Sequence, residues 1–325
     1  MRLARRRFLH LAAGAAAARV AASPAWAQAY PVQPVRFVVG FPAGAGADIA
    51  ARMMGQRLSA QLGQPFFIEN RPGAGGNIGA EMVARAAPDG YTLLLVNSSN
   101  AINASLYPDL KFNLIRDIAP VAGLFRGPFV MVVNAAFPAK DVPAFIAYAK
   151  ANPGRINMAS AGIGTAPHLA GELFKLTSGV DMVHVPYRGV GPALADLVAG
   201  RVQMMFASML SALASIKDGR LRALAVTSAS RWAALPDLPA VGEFLPGYEA
   251  SAWFVVGAPR ATPGGIVDRL NAEINSGLAD PAMQARIAAL GDTVLIGSSA
   301  DMARLIADDT AKWSKVVAAA HIKAE

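Results

Sequence analysis

The residue types that carry covalent chemistry are thinly spread in this chain. It has no cysteine, which excludes thiol catalysis, iron–sulfur clusters and cysteine-based zinc sites. Its four histidines are His10, His168, His184 and His321, with neither the mutual spacing of metal ligands nor an HExxH context, so no metal site is expected. Met158-Ala159-Ser160-Ala161-Gly162 approaches the nucleophile elbow of a hydrolase, but methionine stands where the first glycine belongs. An exported hydrolase using Ser160 with His168 or His184 is therefore the alternative reading, and the sequence argues against it. Ser160 reads better as a hydrogen-bonding residue.

Glycine turns are the stronger signal. Phe41-Pro42-Ala43-Gly44-Ala45-Gly46-Ala47-Asp48 lies between the apolar run Val35 to Val39 and a helical pattern that starts near Asp48, which is placed to cap it. Such a turn aims unpaired backbone N–H groups at one point, beside the positive end of a helix dipole, and so suits an anion. The device recurs at Ser160-Ala161-Gly162-Ile163-Gly164-Thr165-Ala166, with Thr165 as the N-cap, and a third glycine turn spans Asn70 to Gly79. A dinucleotide fingerprint fails at both early turns, because Ile49 and Ile78 occupy the third glycine positions. No cofactor is expected, and the three turns fit a carboxylate held by backbone N–H groups, hydroxyls and water.

Further polar residues follow apolar strands. Asn97 and Ser98 end the run Tyr91 to Val96, and Ser208 ends Met204 to Phe206. Tyr187, between Pro186 and Gly189, can wall a pocket and donate a hydrogen bond. Arg71 and Arg188 flank glycine turns but read as solvated loop arginines.

These residues need elements to hold them. Short β-branched runs at Val35–Gly40, Phe66–Glu69, Ile156–Ala159 and Met182–Val185 alternate with helical patterns, such as the face of Ile49, Met53, Met54, Leu58 and Leu62. That alternation predicts an α/β fold of mostly parallel sheets flanked by helices, where ligands bind beyond the carboxyl ends of strands.

The chain has 325 residues, 54% of them hydrophobic, enough for two domains and a substantial core. The formal charge of +8 would raise nucleic acid as a partner, but five arginines, Arg2, Arg5, Arg6, Arg7 and Arg19, precede residue 28. They head and interrupt an apolar run, Phe8 to Val20, too short to span a bilayer, before Ala25-Trp26-Ala27. Residues 1–27 thus predict an export signal cleaved after Ala27, and Arg5-Arg6-Arg7-Phe8-Leu9 suggests the twin-arginine route. Without it the charge is about +3, no basic patch interleaved with aromatics remains, and a periplasmic protein with no nucleic-acid partner is expected.

Taken together, Phe37-Val38-Val39 through Asp48, Glu69-Asn70-Arg71-Pro72-Gly73-Ala74-Gly75-Gly76-Asn77-Ile78-Gly79, Pro88-Asp89-Gly90-Tyr91, Gly162-Ile163-Gly164-Thr165-Ala166-Pro167-His168-Leu169 and Val185-Pro186-Tyr187-Arg188-Gly189 resemble the Bug family, the extracytoplasmic receptors of tripartite tricarboxylate transporters. The resemblance covers essentially the whole chain after residue 27. It implies a two-lobed periplasmic binding protein fold of type II-like topology. Residues 28–131 with 254–325 would form lobe 1 and 132–253 lobe 2, the chain crossing near Val130–Asn134 and Ala252–Val256. It implies no catalysis, a small organic carboxylate as ligand, membrane transporter subunits as partners and a monomeric state. It also implies that Phe41, Pro42, Ala43, Gly44, Ala45 and Gly46 grip the carboxylate from one lobe and Ser160, Gly164, Thr165 and Ala166 from the other. Asn97, Ser98, Tyr187 and Ser208 would complete the pocket. Many relatives carry Asp where this chain has Ala207-Ser208, which weakens an amino-acid ligand. A ligand-sensing subunit of a signalling system would look the same in sequence.

Overall fold

The structure is a computed structural model and describes residues 30–233 and 235–324. The expected export signal, its cleavage site and its twin arginines lie outside the described residues.

Lobe 1 opens with three strand–helix units. Strand β1 (Val35–Val39) leads through the first glycine turn into helix α1 (Gly46–Leu62). Gly63, left-handed at φ 71°, ends that helix by donating its N–H to Ser59 O. Strand β2 (Phe66–Asn70) leads to α2 (Asn77–Ala84), and the fully buried β3 (Thr92–Asn97) to α3 (Ser98–Leu106). Both β2 and β3 pair in parallel with β1. A four-residue helix, α4 (Leu114–Asp117), precedes the long β4 (Ile118–Asn134).

Lobe 2 repeats the scheme. After α5 (Val142–Ala151) come β5 (Asn157–Ser160), α6 (Ala166–Ser178), β6 (Val183–Pro186), α7 (Val190–Val198), β7 (Met204–Ser208), α8 (Met209–Lys217) and β8 (Leu221–Val226). The chain returns along β9 (Ser251–Pro259) to α9 (Gly264–Ala279), α10 (Pro281–Ala289), β10 (Thr293–Val294) and α11 (Ser299–Ala319).

The strand order makes the duplication explicit. Lobe 1 reads β2-β1-β3-β9 and lobe 2 reads β6-β5-β7-β4. Each lobe has three parallel strands followed by an antiparallel strand that arrives from the other lobe. Residues Ile118 to Pro128 of β4 pair with β9, and Phe129 to Asn134 pair with β7 and β8. The change of sheet therefore falls at Pro128–Phe129, and the return at Ala250–Ser251, where Ala250 N donates to Thr227 O at 2.8 Å. Both crossings come a few residues earlier than the sequence suggests, and the first falls directly after Arg126-Gly127-Pro128, where an exposed arginine interrupts the apolar run.

Each lobe buries apolar side chains on both faces of its sheet, as a parallel sheet covered by helices requires. Helix α11 serves both lobes. Met302 and Ile306 pack with Val38, Leu94 and Trp253, while Trp313, Val316 and Val317 pack with Phe145, Phe174 and Phe206 of lobe 2. Ile102 and Leu106 of α3 join the same lobe 2 core.

Candidate functional site

The loops singled out in the sequence lie at the carboxyl ends of corresponding parallel strands: Gly40–Ala45 after β1 and Ala161–Thr165 after β5. The lobe 1 loop is tighter than expected. Helix α1 begins at Gly46, two residues before Asp48, and its N-cap is Ala45, which has no side chain to cap with. Asp48 is not the N-cap; it occupies the third helical position and turns back. Its Oδ2 accepts the Gly44 N–H at 2.9 Å and Arg52 Nε at 2.9 Å, and its Oδ1 accepts Asn70 Nδ2 at 2.9 Å. Burial alone would raise this carboxyl, but the bonds from Arg52, Gly44 and Asn70 hold it below its ordinary value. Ala45 N donates to Pro42 O, and Asn70 Nδ2 also holds Phe41 O at 3.0 Å. The N–H groups of Gly46, Ala47 and Asp48 open the helix with no acceptor inside it.

The glycine turn of Asn70–Gly79 supports the first. A Cβ on Gly40 would stand 2.7 Å from Gly76 Cα, and one on Gly76 would stand 3.0 Å from the Phe41 ring. These glycines let two loops pack backbone to backbone. Asn77, within the Asn70–Gly79 glycine turn by sequence, begins α2 and is buried, its Oδ1 accepting from Asn103 Nδ2 at 2.9 Å. Asn97-Ser98-Ser99-Asn100 reads as a polar loop in sequence but forms the capped start of α3. Asn97 Oδ1 accepts the Ser99 N–H, and Asn100 Oδ1 accepts the Asn97 N–H, each at 3.0 Å.

In lobe 2, Thr165 is the N-cap of α6 in backbone conformation, yet its hydroxyl does not cap. It donates to Gly162 O at 2.8 Å, and its N–H bonds the same carbonyl at 3.3 Å. Gly164, at φ 75°, donates its N–H to His168 Nδ1 at 3.1 Å, which places that ring's proton on Nε2. Ser160 is fully buried; its Oγ accepts the Gly162 N–H at 3.1 Å and stands 2.6 Å from His184 Nε2. The rings of His168 and His184 stack, centroids 3.7 Å apart and planes 13° from parallel. Burial lowers His168 to about 3, helped by His184 and Lys175, and lowers His184 to about 4, helped by Lys175. Both rings are neutral at physiological pH. Ala166 opens the helix with a free N–H, whereas Pro167 has none.

Of the remaining expected residues, Tyr187 joins the loop through its backbone. Its N–H donates to Ser160 O at 3.0 Å and its carbonyl lies beside Gly162. Its hydroxyl is committed to Asp196 Oδ2 at 2.8 Å, and Asp196 in turn to Arg201. Ser208 is exposed at the end of β7, opposite Phe129 on β4, and caps α8 through Ser211 N. Ala43 completes the first turn between Pro42 and Gly44. The inward roles of Asp48 and His168 escaped the sequence reading; their shared spacing, four residues after a glycine, was the available signal.

Ser160 and His184 have the reach of a nucleophile and base, but not the setting. The serine is closed off from solvent, and no carboxylate is hydrogen-bonded to His184 among the described residues. Nor do the described residues hold a cluster of three or more His, Cys, Asp or Glu able to bind a metal.

Two α/β lobes of the same strand order, joined by crossing strands, with a glycine seat at the first strand–helix loop of each, define a solute receptor of the periplasmic binding protein class. More narrowly, the chain belongs to the tripartite tricarboxylate transporter family receptor group, whose profile matches residues 50–322. Protein BugT of Bordetella pertussis is 39% identical over 299 residues, spanning 91% of this chain and 92% of BugT. Among solved structures, R. palustris Rpa4515 with adipate superposes at a TM-score of 0.82 with 36% identity, covering 90% of this chain and 99% of that one. MatC (Rpa3494) from Rhodopseudomonas palustris with bound malate does so at 0.78 with 34% identity, covering 89% and 100%. The family and these neighbours are solute-binding proteins, not enzymes.

Proposed function

We propose that this chain is an exported, periplasmic receptor that captures a small organic carboxylate between its lobes and delivers it to the membrane subunits of a tripartite tricarboxylate transporter. One observation carries the reading. The same seat, a left-handed glycine before a helix N-terminus, occurs at the topologically equivalent loop of both lobes. Such seats favour anions through unpaired N–H groups and the helix dipole. Adipate and malate in two structural neighbours support a carboxylate as the anion.

Closure is then a shift between open and closed populations. The ligand favours the closed form only through contacts made there and absent in the open form, which requires both seats. In this reading Asn97, Ser98, Tyr187 and Ser208 contribute the further contacts to the ligand, Tyr187 through its ring, since its hydroxyl is held by Asp196. A monomer suffices for this work.

Calorimetric titration of the protein lacking residues 1–27 with mono-, di- and tricarboxylates, aromatic acids and amino acids tests the reading. Binding of at least one carboxylate, with no turnover, is expected. Silence across the panel would overturn it.

A further inference from the structure

The two seats share one backbone pattern. Pro42 O accepts the Ala45 N–H as Gly162 O accepts the Thr165 N–H, at 3.2 and 3.3 Å. Between them lies a left-handed glycine, Gly44 at φ 82° or Gly164 at φ 75°. Each glycine donates its N–H to the side chain four residues on, Asp48 at 2.9 Å or His168 at 3.1 Å. Ala45 and Thr165 are extended N-caps, and neither caps with its side chain.

The seats therefore differ at one buried position by a full charge. Behind the lobe 1 seat sits the carboxylate of Asp48, 2% exposed, bonded to Arg52 and Asn70. Behind the lobe 2 seat sits the imidazole of His168, 3% exposed. The nearest acid there, Glu172, follows one helical turn later, 3.8 Å from His168 Nε2, and is paired with Lys175 at 3.0 Å.

We propose that the seats are unequal jaws: lobe 2 takes the ligand's carboxylate directly, and lobe 1 closes over it as a jaw in which Arg52 only partly offsets Asp48. This rests on the carboxylate reading above. Donor number favours lobe 1, since Pro167 removes one N–H from lobe 2. Charge outweighs it, because a whole negative charge repels an anion more than one N–H dipole attracts it at similar range. Arg52 offsets the repulsion incompletely, its side chain being 54% exposed and screened by water. Asp48, Arg52 and His168 are positioning residues, acting on the ligand through the seat backbone.

The test is calorimetry at low salt, with adipate and malate as probes and circular dichroism to establish folding. His168→Asp and His168→Asn are matched in size and differ in charge, so the Asp variant is expected to bind at least about tenfold more weakly than the Asn variant. Arg52→Gln exposes the Asp48 charge and is expected to weaken binding about fivefold, and adding Asp48→Asn should restore it. A merely structural role would make that double variant worse than Arg52→Gln alone. Equal affinities for the two His168 variants, or a weaker double variant, would overturn the proposal. Should the Asp48→Asn chain fail to fold, the His168 pair still decides. If the unaltered protein binds no carboxylate at all, the carboxylate reading itself fails, and the unequal jaws with it.

Discussion

The hydroxyl of Ser160 and Nε2 of His184 stand 2.6 Å apart, with the serine fully buried. In a hydrolase this pair would face a substrate; here it braces a loop. Ser160 ties β5 to the Gly162 N–H, and His184 passes the constraint to His168, which holds Gly164. Ser160→Ala removes the hydroxyl's bonds to Gly162 and to His184 from this brace, each worth about 1 kcal/mol, so ligand affinity should fall at least about fivefold. Neither form should hydrolyse a carboxylate ester. Esterase activity lost in the variant would restore the hydrolase reading.

Gly44 and Gly164 both require a left-handed backbone, but they differ in surroundings. A Cβ on Gly44 meets nothing within 4 Å, whereas one on Gly164 would overlap Leu106 at the end of α3 in lobe 1. Gly44→Ala should cost about 1–2 kcal/mol of strain. Gly164→Ala should cost that and more, because Leu106 must leave the core it shares with lobe 2. Chemical denaturation of the two variants provides the comparison, and equal losses would contradict the contact between α3 and the lobe 2 seat.

Where β4 and β9 leave their shared ladder, Thr227 bonds both chains. Thr227 Oγ1 accepts the Phe129 N–H at 2.7 Å and donates toward Ala250 O at 2.6 Å, linking both crossings inside the protein. Thr227→Val leaves those groups without their hydroxyl partner and should destabilise the fold by about 2 kcal/mol, read from the urea midpoint.

Much of this was legible from residue patterns. β1 and α1 follow from a β-branched run giving way to apolar residues at helical spacing, and the glycines before α1 and α6 mark the seats. The direction of the capping groups was not legible. An acid just after a glycine turn reads as an N-cap, and only the fold shows Asp48 reaching backward to the Gly44 N–H, held by Arg52 one turn on and by Asn70 from β2. Helix α3 hides behind Asn97-Ser98-Ser99-Asn100, residues that favour loops unless their side chains complete a capping box. The division of α11 between lobes was equally invisible, because its apolar stripe has one helical period from Met302 to Val317.

Asp292 gives the fold a pH response. Its side chain makes no hydrogen bond among the described residues and lies against Gly127, where β4 nears the crossing; burial raises it from 3.8 to about 7. Nearby, Trp232 Nε1 of lobe 2 bonds Gly291 O of lobe 1 at 2.9 Å. Because the folded protein disfavours the ionised form, stability is greatest below the ordinary carboxylate value and falls as pH rises toward about 7. Asp292→Asn should therefore raise the melting temperature by about 2–4 °C at pH 8 and leave it unchanged near pH 4, as thermal melts across pH can establish. A gain of the same size at both pH values would contradict this origin.

The proposed grip on one carboxylate from both lobes is open to a direct measurement. A crystal structure with a carboxylate found by titration tests it most directly. The carboxylate is expected within direct or single-water reach of the N–H groups at Gly46–Asp48 and at Ala166. A ligand bound away from these loops, or touching only one of them in a closed structure, would contradict it.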